Sequence, residues 1–188
     1  ASRFLAGWLS AEDLTRGLGQ IEALDGYGAG AAGPTLKALA LLLANRLEPA
    51  RAALVQARSI DDDAPLTRYL SAKVWLLLGR YTAAEALLDD LGDEAIPCEG
   101  CDDVPLLHGL ALEGSDQTDD ALELYEALRH AGRYQGIVHL RIGRLLLRLG
   151  RETEAGIALD QARRYRLGQQ ERNLLYDIIQ EQGYDPLR

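Results

Sequence analysis

The feature that most constrains the fold of this 188-residue chain is a sequence period of about 34 residues. Four alanines recur at spacings of 34, 37 and 34 residues, and a large apolar residue follows each alanine after four places. The two series are Ala50, Ala84, Ala121 and Ala155, and Leu54, Leu88, Tyr125 and Leu159. A fixed period of this length is typical of proteins that stack similar units side by side.

A second set of positions predicts the structure within each unit. Small residues recur in the same phase upstream, at Ala38, Ala72, Gly109 and Gly143, where two crossing helices need room to approach. Residue types that tolerate a left-handed backbone follow at Asn45, Gly79, Asp116 and Gly150. Beyond them, apolar residues at i, i+4 and i+7 mark one face of an amphipathic helix. Each unit is therefore predicted to be a helix, a tight turn and a second helix.

These positions resemble the tetratricopeptide repeat (TPR) family, and the segment "LGRYTAAEALL" at 78–88 carries the resemblance most clearly. The resemblance implies an all-α fold, a right-handed superhelical array of antiparallel helix pairs that forms a TPR-like α-solenoid. The predicted repeats are 31–64, 65–98, 102–135 and 136–169. The turns of the first and third repeats depart from the family pattern, because Asn45 and Asp116 stand where the family has glycine.

The two ends of the chain are predicted to close the array. Residues 1–30 are expected to form a degenerate half-repeat or helical cap with a glycine-rich linker, and 170–188 a capping helix and tail. The linker segment "GAGAAG" at 28–33 matches a dinucleotide-binding pattern, but that pattern works only between a strand and a helix. The chain lacks methionine and starts without a charged leader, so we expect a processed product, from either a cleaved export signal or a trimmed boundary.

Composition and residue spacing argue against several classes of function. The net charge of −9, from 20 basic and 29 acidic residues, disfavours nucleic acid as a partner. The longest apolar run is too short for direct membrane insertion. His108, His130 and His139 have no carboxylate or serine at a spacing typical of a catalytic relay. We therefore expect no catalytic residues, no bound metal and no cofactor.

Both cysteines of the chain, Cys98 and Cys101, bracket the three additional residues that lengthen one spacing from 34 to 37. Haem attachment requires histidine after the second cysteine, where Asp102 stands. A zinc site needs two more ligands, and acidic neighbours discourage a reactive thiolate. We predict a local disulfide, which would indicate an oxidising compartment. Free thiols, a metal site and a redox pair remain the alternatives.

The resemblance also implies a partner-binding surface, because in this family the first helices of the repeats line a concave groove for a peptide or partner helix. The repeat phase assigns nine residues to this groove: Leu66, Tyr69, Lys73, Leu76, Leu106, Leu110, Leu140, Arg144 and Arg148. An apolar groove with three positive charges suits an amphipathic or apolar segment that bears one or two acids.

Two of the groove arginines belong to a run at spacings of 3, 4 and 3 that lies on one face of a helix. The run is Arg141, Arg144, Arg148 and Arg151. Two interpretations stay open. The arginines either pair with acidic residues of neighbouring repeats or contact an acidic segment of a partner.

The sequence therefore predicts a non-enzymatic protein–protein interaction module in a bacterium, with a scaffold or chaperone-like role in secretion or envelope assembly. One alternative is a thiol- or metal-handling assembly factor that uses Cys98 and Cys101. A further alternative is a self-associating scaffold, in which a second copy covers the groove or one end of the array.

Overall fold

The computed structural model describes residues 15–21, 30–92, 96, 101, 103–130 and 134–182. Regular structure within these ranges is helical, and they contain no strand. The chain divides into two compact units, Ala1–Ser115 and Asp116–Arg188.

The first unit is built from helix pairs that pack on their neighbours. Its helical segments are α1 (15–21), α2 (Ala32–Leu43), α3 (Leu47–Ile60), α4 (Pro65–Leu77), α5 (Tyr81–Leu91) and α6 (Val104–Gly114). Helix α2 packs on α3, α4 on α5, and α5 on α6, and α4 also contacts α2, α3 and α6. Each helix from α2 to α6 thus contacts its neighbour in the chain, and α4 also contacts the helices two places before and after it. This contact pattern is typical of stacked helix pairs.

The second unit contains α7 (Thr118–Leu128), α8 (Gln135–Arg148), α9 (Glu152–Arg164) and α10 (Gln169–Gln182). Helix α8 packs on α7, α9 and α10. The last helix buries Ile178 and packs Leu174 and Leu175 against a cluster that includes Leu140 and Leu159. It therefore covers apolar side chains of the preceding pair.

The tight turns confirm the prediction made from residue type. Asn45, Gly79, Asp116 and Gly150 have φ angles of 59°, 71°, 61° and 72°. In three of these turns an amide donates to the carbonyl five residues earlier: Arg46 to Leu41 at 2.8 Å, Arg80 to Trp75 at 2.8 Å, and Arg151 to Leu146 at 2.9 Å. This bond is the mark of the Schellman motif, which ends a helix and satisfies its last carbonyls.

The repeated small and large positions form the core of each unit, as the period predicts. The four alanines of the first series are completely buried, and the four large residues of the second are at most 2% exposed. A Cβ atom added to Gly143 of α8 would lie 2.6 Å from Cγ of Leu159 in α9. The small residue is therefore required where these two helices cross.

The all-α, TPR-like α-solenoid class is confirmed by this packing. The predicted repeats 31–64 and 65–98 each enclose one helix pair, and α8 begins one residue ahead of the repeat placed at 136–169. Of the repeat placed at 102–135, α6 lies in the first unit and α7 in the second. The repeat boundaries stay predictions. Residues 1–14, 22–29 and 183–188 of the predicted ends lie outside the described residues.

Candidate partner-binding surface

Three of the nine residues predicted for the groove lie at the accessible edge of the core of the first unit. Leu66 and Leu76 of α4 and Leu110 of α6 are half-buried and pack against the buried cluster beneath them. Each side chain therefore has both a firm support and a surface that a partner can reach.

Four of the nine residues predicted for the groove are buried. Tyr69 is 1% exposed, Leu106 7% and Lys73 7% in the first unit, and Leu140 is completely buried in the second. These side chains offer almost no surface for direct contact. They pack the core and support the accessible residues around them.

The buried lysine is explained by a polar network that the sequence analysis missed. The Nζ atom of Lys73 lies 3.1 Å from Oδ2 of Asp103, and the hydroxyl of Tyr69 donates to Oδ1 of Asp103 at 2.5 Å. The same ammonium lies 4.2 Å from the centre of the Tyr69 ring. Because a buried charge is costly unless it is paired and hydrogen-bonded, the three groups stabilise one another.

This network joins the middle of α4 to the residue that directly precedes α6. It therefore fixes the backbone two residues beyond Cys101, which is itself half-buried and packs against the same apolar cluster. Lys73 occupies a position on α4 whose neighbours in the repeat pattern are apolar. A lysine at such a position indicates that a carboxylate lies nearby to pair with it.

The disulfide between Cys98 and Cys101 stays a prediction, because Cys98 lies outside the described residues. We expect the non-reduced protein to resist thiol alkylation and to weigh two hydrogen atoms less than the reduced form. Mass spectrometry of alkylated samples with and without reductant checks this, and full alkylation without reductant would contradict it. Among the residues that the structure describes, no group of three or more histidine, cysteine and acidic side chains could hold a metal ion.

The arginine run of the second unit lies on α8 and the turn that follows it. Arg144 is half-buried and Arg148 is exposed. Nη2 of Arg148 lies 2.9 Å from Oδ1 of Asp116, a residue of the preceding predicted repeat. Arg151 donates two hydrogen bonds to Glu154, which raise the pKa of the arginine and lower the pKa of the carboxyl. Exposed pairs of this kind contribute little stability, so a partner's carboxylate can compete for the guanidinium.

A histidine of α8 is buried against the turn that follows α9. The ring of His139 is 4% exposed and stacks on Tyr165, with 5.8 Å between ring centres and an interplanar angle of 15°. Its Nδ1 atom is buried without a hydrogen-bond partner in the described part of the chain. Burial lowers the pKa of His139 below its ordinary value of 6.5, and the charges of Arg129 and His130 lower it further.

This environment predicts a pH dependence of stability. A lowered pKa in the folded state means that folding favours the neutral ring. The contribution of the neutral His139 ring to folding stability is therefore complete above pH 6.5, and it is lost as the pH falls toward the folded-state pKa. We expect His139→Phe to flatten the change in unfolding free energy between about pH 7.5 and about pH 5.5, measured by urea denaturation. The half-buried His108 of α6, which is not among the groups that shift the pKa of His139, is replaced in the same way as the control. An unchanged slope in His139→Phe would contradict the prediction.

The packed helix pairs and left-handed turns define the class of this protein, a TPR-like α-solenoid. The chain is similar to solved structures of MamA, a TPR-like protein. The MamA RS-1 ArsTM double mutant is 15% identical with a TM-score of 0.71, over 81% of this chain and 85% of that chain. MamA MSR-1 C2 is 17% identical with a TM-score of 0.67, over 82% and 87%. MamA AMB-1 C2221 is 18% identical with a TM-score of 0.67, over 80% and 88%.

At these identities the likeness establishes the fold alone. No protein-family model matches the sequence, and no curated protein is significantly similar to it. None of the described helices combines the length and the apolar character needed to cross a membrane.

Proposed function

We propose that this chain is a non-enzymatic protein-interaction module that holds a peptide or a helix of a partner protein. The observation that carries the proposal is the fold itself, a series of stacked helix pairs with accessible apolar and basic side chains on their first helices. Such arrays present extended surfaces rather than enclosed reaction centres, and binding is the function that this architecture favours.

We propose a separate contact surface on each of the two units, and together they contain fewer residues than the sequence alone predicted. In the first unit it consists of the half-buried Leu66, Leu76 and Leu110. In the second unit it consists of Arg144 and Arg148. The apolar anchors of the first unit suit the apolar face of a partner segment, and the guanidinium groups of the second unit suit an acidic residue of a partner. The buried Tyr69, Lys73, Leu106 and Leu140 support this surface without touching the partner.

A scaffold or chaperone-like role in bacterial secretion or envelope assembly is the setting that we propose. Its support is the predicted disulfide, because such bonds persist in oxidising compartments. A second copy of this chain is the alternative occupant, and it would give a homo-oligomer.

A capture experiment with matched variants tests the proposal. The tagged protein is cross-linked in the source organism and the partners are quantified by mass spectrometry. We expect Arg144→Glu and Leu110→Ser to recover a given partner at about a tenth of the wild-type level, because each change removes a contact of about 1.4 kcal/mol or more. The fold is checked by circular dichroism, so that loss of capture is not confused with unfolding.

Two controls carry the same chemical changes on surfaces outside the proposed contact. Arg163→Glu alters α9, where the side chain is 44% exposed, and Leu149→Ser alters a leucine that is 41% exposed after α8. Both controls should retain the partner. Equal recovery by all four variants would contradict the proposed surface, and recovery of this chain alone would favour self-association.

A further inference from the structure

A second surface on the first unit lies outside the proposed partner contact. The start of α3, the end of α4 and the start of α5 enclose an open pocket of about 590 Å³. Its walls include Glu48, Arg51, Trp75, Leu78 and Arg80. None of these residues belongs to the nine that the repeat phase assigned to the groove, so the pocket is an additional feature of the molecule.

One part of the pocket is formed by an arginine that lies over a tryptophan ring. The guanidinium carbon of Arg51 lies 6.0 Å from the centre of the Trp75 ring, at the limit of a cation–π contact. Nε of Arg51 lies 2.8 Å from Oε2 of Glu48, and the two side chains are 41% and 65% exposed. Such an exposed pair is weak, so the Arg51 guanidinium can also donate hydrogen bonds to a second carboxylate while it stays over the indole ring.

The pocket lining also includes a second positive group, that of Arg80. Arg80 is exposed and directly follows the left-handed Gly79, at the residue that caps the start of α5. Within the described residues its side chain has no hydrogen bond or ion pair. The first turn of α5 contains no acidic residue, in contrast to the first turn of α3. The pocket therefore carries two guanidinium groups against one carboxylate, on a chain whose net charge is −9.

We propose that this pocket binds an acidic side chain of a partner protein, whose carboxylate lies between Arg51 and Arg80 and whose apolar neighbours rest on Trp75 and Leu78. The two guanidinium groups are geometrically suited to carboxylate oxygens. Arginine and tryptophan are also the residue types that most often dominate the energetics of protein interfaces. The acidic remainder of the chain repels a nucleic acid, which leaves an acidic protein segment as the favoured anion.

A titration followed by nuclear magnetic resonance tests the proposal on the full chain. Trp8→Phe leaves Trp75 as the single tryptophan, so that one indole N–H signal reports on the pocket. The probes are the blocked peptides acetyl-Gly-Leu-Glu-Leu-Gly-amide and its Gln counterpart. We expect the Glu peptide to shift the Trp75 signal with a dissociation constant of about 1–10 mM, and the Gln peptide to bind at least about fivefold more weakly.

Variants separate a pocket effect from a general charge effect. Arg80→Gln and Arg51→Gln should each weaken the Glu peptide at least about fivefold. Arg58→Gln alters a half-buried arginine of α3 that pairs with Asp62, and it should not change the affinity for the Glu peptide. Arg144→Glu should also leave the titration unchanged, which keeps this result independent of the proposed groove. Equal shifts from both peptides, no shift from the Glu peptide, or equal weakening by Arg58→Gln would overturn the proposal.

Discussion

Replacement of Lys73 by methionine is expected to lower the free energy of unfolding by about 3 kcal/mol. The side chains of Lys73 and Asp103 are 9% and 15% exposed. Of the network, the substitution leaves the Asp103 carboxylate only its hydrogen bond from the Tyr69 hydroxyl. A buried carboxylate without its counter-ion retains its desolvation cost. Urea unfolding followed by circular dichroism measures the change as a lower midpoint.

The same network supplies its own controls. The double variant Lys73→Met/Asp103→Asn removes both charges and should recover part of the loss, because the lone buried carboxylate disappears. Tyr69→Phe removes only a hydroxyl and should cost about 1 kcal/mol. If Lys73→Met changed the midpoint no more than Tyr69→Phe, the ion pair would not have the structural role assigned to it.

Replacement of Gly143 by alanine is the second change with a large expected effect, a loss of about 1–3 kcal/mol. The new Cβ atom would lie 2.6 Å from Cγ and Cδ2 of Leu159 and 3.3 Å from the carbonyl oxygen of Ala155. Both neighbours belong to the completely buried core, so α8 and α9 would have to separate. Thermal unfolding measures the cost as a lower transition temperature.

Gly17 offers a matched control for this prediction. It lies in the helical segment α1, and a Cβ atom added there meets nothing within 4 Å. Gly17→Ala should therefore leave the stability unchanged or raise it by up to about 1 kcal/mol, because alanine favours a helix over glycine. Equal destabilisation by the two substitutions would show that the helix crossing is not the cause.

The helix pairs and their turns could be predicted from the sequence because the packing itself repeats. A residue at a close helix crossing must be small, as Gly143 and Ala84 are, and a residue that ends a helix in the left-handed region must tolerate it, as Asn45 does. These requirements recur in each helix–turn–helix repeat, so they produce a period that is visible in the sequence. The resemblance to the TPR family rests on these repeated positions.

The accessible surface was harder to predict because periodicity places a residue on a helix face only approximately. Tyr69 and Leu66 are three places apart on α4, yet the first is buried and the second is half-exposed. A small rotation of the helix about its axis decides which of them faces the core. The packing of neighbouring helices sets that rotation, and the repeat period does not predict it.

The polar network and the pocket were missed because neither repeats. Asp103 follows the insertion between two predicted repeats. It contacts Lys73 of α4 because α5 brings the chain back to the vicinity of α4. The pocket likewise combines Arg51 of α3, Trp75 of α4 and Arg80, which directly precedes α5. The repeat period gives no information on which arginines lie beside Trp75.

The most direct test of the proposed interaction module is the affinity of a captured partner segment, measured by isothermal titration calorimetry. The wild type, Arg144→Glu and Arg163→Glu are compared at equal ionic strength. We predict that Arg144→Glu weakens binding at least about tenfold and that Arg163→Glu stays within about twofold of the wild type. Indistinguishable dissociation constants for all three proteins would contradict a partner surface on the first helices of the repeats.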